Sequence, residues 1–88
     1  MKKVEGKKEL SKAIGTFCKQ FRVEYIKKSM KDFCEDVGVS VPSINAFERG
    51  CANNIQYLFY YYEQASPLAQ EYLKDNIFKI QEQMKEGN

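Results

Sequence analysis

Apolar residues recur at helical spacing along most of this chain of 88 residues, and no stretch alternates with the two-residue period of a strand. Leu10, Ile14, Phe17, Phe21 and Tyr25 follow steps of four, three, four and four, which predicts a first helix from about Glu9 to Tyr25. Gly15 lies inside it, weakens its intrinsic propensity and marks a place where a neighbour packs closely. Met1 to Lys8 has no apolar period and reads as a flexible basic arm. A second helix is announced by Ser29, a side-chain acceptor, with Asp32 three residues on, and carries Phe33, Cys34 and Val37. Gly38 supplies the positive φ that ends it. Ser40 is then the expected cap of a third helix bearing Val41, Ile44 and Phe47, which Gly50 closes.

After a polar loop, Asn53 or Asn54 can cap a fourth helix from about Ile55 to Gln64. Ile55, Leu58, Phe59 and Tyr62 share one side of it, while Tyr57, Tyr60 and Tyr61 spread round the rest. That is more aromatic surface than a short helix buries in one small core. Ser66-Pro67, with Gln70 at box-like spacing, starts a fifth helix from Pro67 to about Lys85. Its Leu73, Ile77, Ile80 and Met84 form a narrow amphipathic seam, which packs either on its own bundle or on a second subunit. The expectation is an all-α, five-helix bundle: an arm over 1–8, a helix-turn-helix domain over 9–65, and a C-terminal helix over 66–88 for packing or dimerisation. The two short helices joined at Gly38 by a tight turn, with a shared apolar wedge, are the helix-turn-helix.

Composition narrows the function. At 43% hydrophobic and 14% aromatic the chain can fill one core. No apolar run approaches the ~18 residues of a membrane span, and MKKVEGKKEL is too polar for a secretory segment, so the chain reads as cytoplasmic. Cys18, Cys34 and Cys51 show no zinc spacing and, with no histidine in the chain, read as reduced packing residues rather than metal ligands. There is no Gly-rich phosphate loop and no Cys/His or paired-carboxylate constellation, so neither catalysis nor a cofactor is expected. Charge, by contrast, is sharply divided. Residues 1–31 hold ten Lys/Arg against Glu5, Glu9 and Glu24, a balance of +7, whereas residues 32–88 stand at −5. A basic front and an acidic rear suit a protein that lays one face on a polyanion.

Ile14-Gly15, Phe21-Arg22, Ser29-x-x-x-Phe33-Cys34, Val37-Gly38-Val39-Ser40 and Ile44-x-x-Phe47-Glu48-Arg49-Gly50 agree at several fixed offsets. Over residues 14 to about 65 the chain resembles the phage-repressor (Cro-like, XRE) family of helix-turn-helix proteins. The resemblance implies double-stranded DNA as partner, a homodimer, and a recognition helix over 41–47 in the major groove, with Val41, Pro42, Ser43, Asn45 and Ala46 facing bases. Lys27, Lys28, Lys31, Ser40, Arg49, Asn53 and Asn54 flank that helix as phosphate contacts. Arg22 and Glu48 occupy the positions of a family pair joining the first helix to the end of the third, and are expected as a structural ion pair. Tyr57, Tyr60 and Tyr61 with Leu73, Ile77, Ile80 and Met84 are the expected dimer interface. Two positions depart from the family's habit: Met30 stands where a glutamine is common, and Cys51 follows the closing glycine where a polar residue is usual. The leading expectation is therefore a small repressor-like DNA-binding regulator of phage or other mobile-element type. The alternative is a protein-interaction module of the same fold, an antirepressor or inhibitor.

Overall fold

The computed structural model describes the backbone of residues 2–52 and 54–86, and the side chains of residues 9–52 and 54–83. Over those residues the chain is all-α. Its five α-helices are α1 (Lys2–Phe21), α2 (Met30–Val37), α3 (Val41–Glu48), α4 (Tyr57–Glu63) and α5 (Pro67–Glu86), with a single π-helical turn, Arg22–Ile26, continuing α1.

The boundaries differ from the sequence pattern at both ends of α1. The helix begins at Lys2, so the stretch that the pattern leaves as an arm has helical backbone from its second residue. Lys and Glu are good helix formers, so a helix already nucleated by its apolar face can propagate through them. At the other end the bonding widens into the π-turn, which no apolar spacing announces. Lys27 closes that turn in the left-handed region, φ 61°, donating its N–H to the Arg22 carbonyl at 2.7 Å. It is the one non-glycine residue with positive φ among the described residues.

The two short helices follow their caps. Ser29 Oγ accepts the Asp32 N–H at 3.1 Å, and Gly38, at φ 75°, ends α2 by donating to the Cys34 carbonyl. Ser40 occupies the cap position of α3, but its hydroxyl is not the cap expected of it: it pairs with Ser43 Oγ at 2.8 Å and bonds no backbone N–H. Asn54 likewise contributes a carbonyl to the Tyr57 N–H rather than a side-chain cap, the N-cap of α4 falling on Gln56, and Asn53 lies outside the described residues. Ser66 Oγ does accept from the Ala69 N–H, at 3.4 Å. The Gln70 amide, instead of completing a box, donates to the Tyr62 carbonyl at 2.9 Å and ties α5 to α4.

The core is built from Phe21, Phe33, Ile44, Phe47, Tyr61 and Leu73. Tyr61 is wholly buried, its ring 4.7 Å from Phe33 and 5.9 Å from Phe47, whereas Ile55 and Phe59 are 67% and 65% exposed. The side of α4 that carries Phe59, with Ile55 just before the helix, is thus partly turned out. The tyrosine face wins because its hydroxyl meets a buried acceptor, described below. A second aromatic group joins the end of α1 to α5: Phe17 and Phe21 lie against Tyr72, and Tyr25 against Tyr72 at 4.8 Å between ring centres.

Two glycines let α1 cross the end of α3 at backbone distance. A Cβ on Gly15 would lie 2.4 Å from the Phe47 carbonyl oxygen and 2.7 Å from that of Glu48; one on Gly50 would lie 2.6 Å from Lys12 Cα. Gly38, by contrast, has open space around it and needs only its positive φ. Gly15→Ala is expected to lose about 2–3 kcal/mol, because a carbonyl cannot rotate aside like a side chain, and to lower the melting temperature by roughly 10–20 °C. Gly38→Ala should cost about 1 kcal/mol, from conformation alone. Thermal unfolding by circular dichroism checks the order; equal losses would refute the close crossing.

Candidate functional site

Arg22 opens the π-turn, and its side chain is turned inward. Nε donates to Glu48 Oε2 at 2.9 Å and Nη2 to Glu48 Oε1 at 3.1 Å, a two-pronged pair with both side chains buried. Tyr61 Oη donates to the same Glu48 Oε2 at 2.8 Å, and Arg22 Nη1 donates to the Lys28 carbonyl at 2.9 Å. One carboxylate therefore joins the end of α1, the end of α3 and the middle of α4, while the guanidinium also holds the segment entering α2. Among the described residues no buried polar side-chain atom is left without a partner. That is the condition under which buried charge is tolerated.

The electrostatic consequences run through this group. Hydrogen bonding to Glu48 holds the Arg22 guanidinium even more firmly protonated than usual. Burial, reinforced by the Glu48 charge, pushes the Tyr61 phenol and the Cys18 thiol well above their ordinary ranges. Cys34 is raised by the same two causes. Cys51, beside the exit of α3, is the exposed thiol of the three.

With Ile44, Phe47 and Glu48 held inside, the opposite side of α3 is fixed outward. Val41, Pro42 and Asn45 are exposed, Ser43 and Ala46 half-buried. All five residues expected to face bases thus keep some accessible surface, but Ser43 is engaged with Ser40. Of the expected phosphate contacts, Lys27, Lys31, Arg49 and Asn54 are exposed, and Asn53 lies outside the described residues. Lys28 departs from the expectation. Its Nζ is bonded to Asp36 Oδ2 and, at 2.6 Å, to Gln64 Oε1, tying α2 to the end of α4. Met30, at the position where the resembled family favours glutamine, is partly buried against the core.

The expected dimer residues divide. Tyr61 and Leu73 are core residues, 0% and 3% exposed, and are not available to a second subunit. Tyr57, Tyr60 and Ile77 pack against that core from its margin, Ile80 is half-buried, and the Met84 side chain lies outside the described residues. The seam chosen by its spacing is the inner face of α5. Its outer face carries Leu68 and Phe78, 86% and 65% exposed, which the pattern did not single out. Between α4 and α5 an apolar groove runs over Leu58, Leu73 and Ile77, rimmed by Ile55, Phe59 and Phe78. Sequence reasoning also missed the Tyr61–Glu48 bond; the available signal was a tyrosine four residues from Tyr57 on one helical stripe, with a hydroxyl needing a partner if buried.

Among the described residues no group of three or more His, Cys, Asp or Glu is placed to hold a metal ion, and no helix is long and apolar enough to cross a membrane. Comparison with family models, curated proteins and solved structures finds no match to this chain.

Removing one side of the buried pair strands the other. Glu48→Ala should therefore cost roughly 3–5 kcal/mol and Arg22→Met a large part of that, whereas Tyr61→Phe, losing one charge-assisted bond, should cost about 1.5–3 kcal/mol. Urea unfolding gives these values. An unchanged midpoint for Arg22→Met would move Arg22 out of the structural role and leave it as a phosphate contact.

Proposed function

We propose that this chain is a small, non-catalytic DNA-binding regulator, repressor-like in action, that sets the outer face of α3 into the major groove of a duplex. The observation that carries the reading is the orientation of α3. Its inner residues Ile44, Phe47 and Glu48 are locked by the core and the buried pair, and Val41, Pro42 and Asn45 stand on the accessible side. Asn45 can bridge an adenine edge, and Val41 or Ala46 can meet a thymine methyl. No arginine or glutamine stands on that face, so direct readout is modest and affinity comes largely from phosphate contacts.

Exposed cations at the adjoining element ends supply those contacts: Lys27 after the π-turn, Lys31 in the first turn of α2, and Arg49 at the end of α3. Lys28 is assigned instead to the scaffold, since it is bonded to Asp36 and Gln64. Regulation is by occupancy in the cytoplasm, with two copies on half-sites about one helical turn apart. The second reading, a protein-interaction module, is favoured by one feature: the accessible start of α3 is Val41-Pro42, with Val41 42% exposed, rather than a hydrogen-bonding pair.

The two readings part in a salt titration. A DNA regulator shifts a random duplex at low salt, with log affinity falling by about 0.9 per phosphate neutralised for each tenfold rise in salt. Lys27→Ala with Lys31→Ala should flatten that slope by roughly two units and weaken cognate and random duplexes alike, whereas Lys28→Ala should lower stability more than affinity. No shift of any duplex at low salt would sink the DNA reading in favour of the interaction module.

A further inference from the structure

The outer face of α5 carries an exposed aromatic residue set among charges whose order is self-complementary. Glu71, Lys74, Phe78 and Glu82 follow steps of three, four and four, so they form one stripe on the helix, with Lys74 and Glu82 equidistant from Phe78. Phe78 is 65% exposed, and Glu71, Lys74 and Glu82 are all exposed. Turning the stripe end over end about Phe78 sets acid against base, Lys74 opposite Glu82 on either side of the ring.

We infer that this face binds a second copy of the chain, α5 against α5 in an antiparallel, two-fold pairing centred on Phe78, with Phe59 and Ile55 of the adjoining groove at its margin. This rests on the two-copy element of the proposed function and gives it a surface. The occupant is a copy of this chain because the order of charges decides for it. An in-register parallel pairing would oppose Lys74 to Lys74 and Glu82 to Glu82, whereas the antiparallel one sets Lys74 against Glu82 on both sides of Phe78. A two-fold interface must be self-complementary in this way. Within a single chain Lys74 is already drawn to Glu71, at 3.0 Å, so its ammonium lies along the stripe before a partner arrives. Phe78 supplies the aromatic anchor at the centre, and Phe59 and Ile55, equally exposed, extend the apolar surface towards α4.

The experiment is sedimentation equilibrium of the full chain without DNA, over a wide concentration range at low and moderate salt. The native chain should reach twice its mass of 10.3 kDa as concentration rises. Phe78→Glu should weaken association by about thirtyfold or more while the circular dichroism and melting temperature stay as they were, the side chain being largely solvated. Lys74→Glu alone should weaken association at low salt, and Lys74→Glu combined with Glu82→Lys should restore it, since the opposed pair is then remade with its signs exchanged. A native chain that stays monomeric throughout overturns the pairing, as does a Phe78→Glu chain that associates like the native one, or a double exchange no better than the single. Because no duplex is present, each of these leaves the DNA reading to the salt titration, in which a monomer can still bind.

Discussion

A single buried carboxylate decides how this chain is put together. Glu48 accepts from Arg22 twice and from Tyr61 once, and those donors come from helices far apart in sequence. A buried ion pair adds little net stability over a well-packed apolar substitute, because desolvation offsets most of the attraction. What it adds here is a definite register. A hydrophobic wedge could rotate by part of a turn and still be buried, but a forked guanidinium facing a carboxylate cannot. The glycine crossing acts in the same sense, since Gly15 seats α1 directly on the carbonyls of Phe47 and Glu48. Together they fix both the roll and the depth of α3, and so which of its residues reach solvent.

Much of the architecture was legible in the apolar spacing. The turn between α2 and α3 was readable because Gly38 does one thing that other residues do poorly, and Ser29 because its hydroxyl has one obvious backbone donor. Gly15 was readable as a close approach, though not what it approached. The failures have a common origin. Apolar spacing tells which residues share a helical side, but not which of two amphipathic sides is turned in. On α4 the competing sides were Leu58 with Tyr62 and Tyr57 with Tyr61, and the choice was made by Glu48, thirteen residues from Tyr61 and invisible to any local period. On α5 the seam was identified and its occupant was not, because Leu73 serves the chain's own core. The π-turn and the left-handed Lys27 had no local signal at all.

The same limits apply to the candidate surface. A lysine in the sequence is a charge without a direction, and Lys27 and Lys28, adjacent in the chain, have opposite fates: one is exposed, the other bonded to Asp36 and Gln64. Lys27 stands in the left-handed backbone that closes the π-turn, and Lys28 follows it in the segment entering α2. Counting basic residues therefore overstates the cationic surface, and the division of charge along the sequence is softened in space by pairs such as Lys28 with Asp36.

Placing a phenol and a thiol in the dry interior beside an ionised acid also gives the fold an alkaline limit. Tyr61 and Cys18 must stay protonated to remain where they are, whereas in an unfolded chain they would ionise near their ordinary values of 10.0 and 9.0. Both groups are raised on folding, so their contribution is complete below about pH 9 and drains away as the solution becomes more basic, the unfolded chain then giving up protons that the folded one retains. Base, rather than acid, is the direction in which these two residues make this small bundle chemically fragile.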